Sequence, residues 1–144
     1  MDGVILTPLK QIYHPKGNIF HAMRKSDSGF SGFGEAYFST IIQGEIKGWK
    51  LHTKMILNII VPMGEIEFVL FDKREKSGSK GQFFSVNLSL SNYQRLTIPH
   101  GIWVSFRGIK NENLLLNLAS MEHEPSEALT VPLDEFKYTW KELK

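Results

Sequence analysis

Lys50, His52 and Lys54 stand two apart in the stretch Ile46-Lys47-Gly48-Trp49-Lys50-Leu51-His52-Thr53-Lys54. In an extended segment successive side chains point to opposite faces. These three therefore share one face, and Trp49, Leu51 and Thr53 share the other. An imidazole exchanges a proton near neutral pH. Two flanking ammonium groups suit a phosphate, or an oxyanion that develops during a reaction. A lone titratable His in a cavity built from apolar strands points to proton transfer. The alternative puts this face in solvent, with Trp49 and Leu51 in the core.

The elements that must position these residues are strands. Segments 37–42, 46–54, 56–61, 66–72, 83–90, 94–98, 102–107 and 113–120 are β-rich. Gly44, Pro62-Met63-Gly64, Ser91-Asn92, Pro99-His100-Gly101 and Lys110-Asn111-Glu112 separate most of them. Roughly eight short strands at close spacing predict a sandwich or barrel. The cluster from Ser26 to Gly34 reads as a mobile loop, and Lys76 to Gly81 as a second break. Residues 133–143 fit either a last strand or a short helix.

Bulk properties exclude several functions. A chain of 144 residues suits one domain, residues 1–144, with its own core. There are no cysteines, which removes disulfides, thiolate metal sites and a Cys nucleophile and fits a cytoplasmic protein. The net charge is +2, with acidic and basic residues interleaved and no basic stripe for nucleic acid. No run is apolar enough to span a membrane, and Met1 to Leu6 does not read as a signal peptide.

Several segments, in order, resemble a known family. They are Trp49-Lys50-Leu51-His52, the arm from Gly64 to Arg74, Val86-Asn87-Leu88-Ser89, Ile98-Pro99-His100-Gly101, and Asp134-Glu135-Phe136-Lys137-Tyr138-Thr139-Trp140. Pro15-Lys16-Gly17-Asn18-Ile19-Phe20 resembles that family's Arg-Gly-aromatic segment. Together they look like the dTDP-4-dehydrorhamnose 3,5-epimerase family of the cupin superfamily, from about residue 8 to 140. The resemblance implies an all-β fold, a single jelly-roll cupin barrel, and a homodimer. It implies an epimerase or isomerase of a nucleotide-linked 4-keto-6-deoxy sugar, working without metal or other cofactor in surface polysaccharide synthesis, lipopolysaccharide included.

In that family a His–Asp pair removes a proton beside the ketone. The resemblance places the base on His52 and its carboxylate on Asp134, with Lys50 or Lys54 stabilising the enolate and Lys16 meeting phosphate. A carboxylate bonded to one ring nitrogen fixes the tautomer and leaves the other as base. The family's donor Tyr falls near Leu116, its second His on Val104 and its Lys near Leu57; its Arg before the Gly-Leu-His tripeptide falls on Trp49. Further candidate substrate contacts are Tyr37 at the cavity mouth, Trp49 and Trp103 as stacking platforms or core, and His100 as rim contact or turn residue. The stretch from Leu118 to Glu124 resembles the related sugar 3,4-ketoisomerases. A third reading is a sugar-nucleotide-binding cupin without chemistry. The positions of a cupin metal site read His52, Lys54, about Asn58 and Val104, which predicts no metal.

Overall fold

A computed structural model describes residues 1–143. Strands in chain order are β1 (Ile5–Pro8), β2 (Gln11–Ile12), β3 (Ile19–Phe20), β4 (Glu35–Thr40), β5 (Ile46–His52) and β6 (Leu57–Met63). They continue with β7 (Glu65–Asp72), β8 (Phe83–Ser89), β9 (Gln94–Ile98), β10 (Ile102–Gly108), β11 (Leu114–Ala119) and β12 (Ala128–Thr130). Two five-stranded sheets face each other, in the orders β1-β9-β6-β11-β4 and β12-β5-β10-β7-β8. All pairings between these strands are antiparallel. The strand count predicts a sandwich or barrel and the resemblance implies an all-β jelly roll, and that is the fold observed.

Period-two patterning builds the core. Ile66, Phe68 and Leu70 of β7 meet Leu96 and Ile98 of β9 and Leu115 of β11 between the sheets. The intervening residues of β7 and β10 face outward. There Trp49, Val69, Trp103 and Phe136 form a second apolar cluster, with Tyr138 and Trp140 packed against it. This cluster explains the C-terminal segment. Leu133–Glu135 is one 3-10 turn, and residues 136–143 have no regular structure. It is held as a strap by aromatic contacts, with Phe136 5.4 Å from both the Trp49 and Trp103 rings. Arg107 donates to the Lys141 carbonyl at 2.8 Å and lies over the Trp140 ring.

The Ser/Gly loop differs from the mobile segment expected. Fully buried Arg95 donates to the carbonyls of Ala22 and Ser28 and to Asp27. Asn58 Nδ2 donates to the Gly29 carbonyl at 3.1 Å. Outward-facing polar residues of β6 and β9 thus pin the loop over the sheet, since both terminal nitrogens of Arg95 and the Asn58 amide find partners there while Arg95 Nε has none.

Candidate active site

A cavity of about 250 Å³ opens between β5 and β10 of one sheet and β4, β6 and β11 of the other. Its floor is apolar, with Leu57, Ile59, Val104, Phe106 and Leu115. Its titratable groups are Tyr37, Lys47, Lys50 and His52. Three of these come from β5, and a bulge brings them together. Val104 pairs with Lys50 and Phe106 with Lys47, so β5 carries one extra residue there. Such an insertion resets the alternation of faces, and Lys47 joins Lys50 and His52 on the inner side. Gly48 sits in the bulge at φ +128°; a Cβ there would lie 2.7 Å from Ser105 Cα and the Val104 carbonyl oxygen.

His52 ends β5 and is 7% exposed. Its Nδ1 is bonded to Oε1 of Glu127, a residue 1% exposed. The other Glu127 oxygen accepts from the backbone N–H groups of Lys54 and Met55, at 3.1 and 3.3 Å. Burial pushes the Glu127 carboxyl up, but the His52 bond and the two backbone donors outweigh it and hold the group below its ordinary range. An ionised carboxylate accepts only, so the imidazole proton sits on Nδ1 and the Nε2 lone pair is free. β12 pairs with β5, Ala128 opposite His52, which sets Glu127 beside the ring. The Glu127 carbonyl accepts from both Thr53 N–H and Thr53 Oγ1–H at 2.8 Å. On the other side Gly101 N–H donates to the His52 carbonyl at 2.7 Å.

This geometry corrects several expectations. The His partner is Glu127, not Asp134, which is exposed in the 3-10 turn Leu133–Glu135 beyond the β12 edge. Lys54 does not share the cavity face, because β5 ends at His52 and the chain bends; its side chain is exposed and its backbone N–H serves Glu127. Lys50 lines the cavity as the alternation implies. Trp49 and Trp103 face the outer aromatic cluster and do not line this cavity, and the Trp49 indole N–H donates to the Leu133 carbonyl. Lys16 is exposed in the turn between β2 and β3, away from the cavity. His100 is exposed in the turn between β9 and β10 and does not line the cavity. Tyr37 does line it, from edge strand β4.

Two residues of the site, Glu127 behind His52 and Lys47 in the cavity, carry no clear signal in the sequence. Glu127 follows the polar run Met121 to Ser126, where neighbouring acids look alike; only the β12–β5 pairing singles it out. Lys47 lay on the wrong face for simple alternation, and the Lys47-Gly48 pair was its one local hint of a bulge. Among the described residues no group of three or more His, Asp or Glu side chains is placed to hold a metal ion.

The fold matches a dTDP-4-dehydrorhamnose 3,5-epimerase from Sulfolobus tokodaii with a TM-score of 0.86 at 20% identity, over 98% of this chain and 84% of that one. A dTDP sugar isomerase from Desulfovibrio desulfuricans G20 matches with a TM-score of 0.93 at 34% identity, over 99% of this chain and 94% of that one. The chain belongs to the dTDP-4-dehydrorhamnose 3,5-epimerase-like family. The chain is also similar to the spore coat polysaccharide biosynthesis protein SpsL of Bacillus subtilis. The two are 26% identical over 141 residues, 97% of this chain and 90% of SpsL. No protein-family model matches the chain. Where the resemblance puts further polar groups of the epimerase-like family, this member has Leu57 and Val104 in the cavity wall, and Leu116 outside it.

Proposed function

We propose that the protein is an epimerase or isomerase of a nucleotide-linked 4-keto-6-deoxy sugar, most simply a dTDP sugar, acting by proton abstraction beside the ketone. The buried His52–Glu127 pair at the cavity wall carries this reading. Glu127 holds the imidazole with its proton on Nδ1, and Nε2 takes the proton from the carbon next to the ketone. The electrons pass to the ketone oxygen. Lys47 Nζ donates to the Thr40 carbonyl at 2.8 Å and keeps two further N–H donors; Lys50, beside His52 on the cavity face, is the ammonium assigned to the enolate oxygen. No cofactor has a part in this chemistry. The cavity is below the roughly 300–1,000 Å³ that encloses a drug-sized ligand; the sugar ring enters it and the nucleotide stays outside.

The names of the relatives support the substrate class, and that of SpsL supports a place in surface polysaccharide synthesis; lipopolysaccharide as the product and the cytoplasm as the location are part of the proposal. The unit we propose is a homodimer of single-domain chains spanning residues 1–144. β4 is a sheet edge, and Phe38 and Ile42 on and beside it are 65% and 73% exposed; apolar edges of this kind call for a cover.

The test is proton NMR in D₂O with dTDP-4-keto-6-deoxyglucose generated in place. Signal loss at a carbon beside the ketone is expected with the native protein and not with His52→Ala. Equal exchange by both proteins, or by neither, sinks the reading.

A further inference from the structure

A base alone does not invert a carbon; a proton must return from the other side. The cavity wall facing His52 belongs to the other sheet, and Tyr37 and Asn117 stand there as directly opposed residues of β4 and β11. We propose that Tyr37 is the proton donor and that Asn117 is its positioning residue. The proposal rests on the function inferred above and names the acid for it.

The amide of Asn117 is locked. The residue is 1% exposed, and its Oδ1 accepts from Asn58 N–H at 3.1 Å. Its Nδ2 therefore donates to Tyr37 Oη, at 3.0 Å. A phenol oxygen that accepts this bond keeps its own hydrogen for another acceptor, and Tyr37 borders the cavity, where the substrate carbon would lie. The bond also grows stronger as the oxygen becomes phenolate, since donors to an ionised acceptor bind harder. Tyr37 is 42% exposed, so solvent can restore its proton after each turnover. The other titratable groups facing the cavity are Lys47, Lys50 and His52, all borne by β5 of the opposite sheet, with the Lys47 ammonium reaching across to the Thr40 carbonyl of β4.

The step balances. The Tyr37 O–H bond breaks, a C–H bond forms at the enolate carbon, and the C=C electrons supply it as the ketone re-forms. His52 then holds the abstracted proton and Tyr37 is a phenolate. Exchange with water resets both.

The experiment follows deuterium wash-in and epimer formation separately, in the native protein, Tyr37→Phe and Asn117→Ala. In Tyr37→Phe wash-in stays within about threefold, because His52 still removes and returns a proton, while epimer formation falls on the order of 100-fold or more. In Asn117→Ala turnover falls with KM unchanged. The alkaline limb of the rate moves to higher pH, because the phenolate has lost a donor. Epimer formation at the native rate in Tyr37→Phe overturns the assignment of the acid and leaves the base intact. Parallel loss of wash-in and epimer overturns it too, by making Tyr37 a binding residue. A native protein that shows neither signal overturns the proposed function and this assignment with it.

Discussion

Glu127 makes three hydrogen bonds through its carboxylate, and one of them sets the tautomer of His52. Glu127→Gln keeps the shape and removes the charge. The amide then offers a donor or a weaker acceptor to Nδ1, and the lone pair on Nε2 is no longer secured. Proton exchange should drop on the order of 10³–10⁴-fold, as loss of an orienting carboxylate does elsewhere. Asp134→Asn should leave the rate where it was, since Asp134 is exposed beyond the β12 edge. The same exchange measurement separates the two. Lys50→Met and Lys54→Met form a second contrast. The first removes a cavity ammonium and should lower kcat at least tenfold; the second trims an exposed side chain and should not. His52 and Lys50 were legible because β-alternation with an apolar surround already marks a polar cavity face. Glu127 was not, because its role comes from a pairing between segments 75 positions apart.

Strands were legible for the same reason their interiors are apolar. Runs such as Ile66-Glu67-Phe68-Val69-Leu70 and Ile102-Trp103-Val104 place inner and outer residues in turn, and all eight expected segments are strands here. Short pieces were not. β12 has three residues and β2 and β3 have two each, too few for any period to show. The bulge in β5 was also hidden, because one extra residue changes faces without changing composition. Gly48 is the element-scale test of it. Gly48→Ala sets a Cβ against backbone atoms of β10 at a positive φ that a side chain resists. A loss of about 2 kcal/mol in urea unfolding is expected, together with weaker activity as Lys47 and Lys50 leave the inner face. The strap is a second element with its own signature. Phe136→Ala opens a cavity among Trp49, Phe71 and Trp103 and should cost about 3 kcal/mol. Tryptophan fluorescence should move to the red while proton exchange persists in the folded fraction.

At the scale of the whole molecule, buried carboxylates tie distant parts together. Asp72 accepts from Arg74, Ser77 and Ser79, and the Arg74 side chain above all holds its carboxyl well below the usual range, against the opposing push of burial. Arg74 also donates to the Asp2 carbonyl, which fastens the first residues to the β7–β8 connection. Glu127 and Asp27 are lowered as well. A group whose folded pKa is depressed adds stability above its unfolded value, near 4, and that stability is lost as pH falls through the folded value. The urea midpoint should therefore hold from neutral pH to about 5 and decline below about 4. Asp72→Asn should lower the plateau and flatten the decline; an unchanged slope would show that Asp72 contributes nothing to it. Glu127 has a different reach, because it joins the last sheet strand to the cavity. During synthesis His52 leaves the ribosome long before Glu127 does. A nascent chain can lay down β5 and much of the barrel while its imidazole still lacks an anchor. Competence is thus conferred late, by the arrival of a short edge strand, and a polypeptide interrupted ahead of that strand is a vessel without a working base.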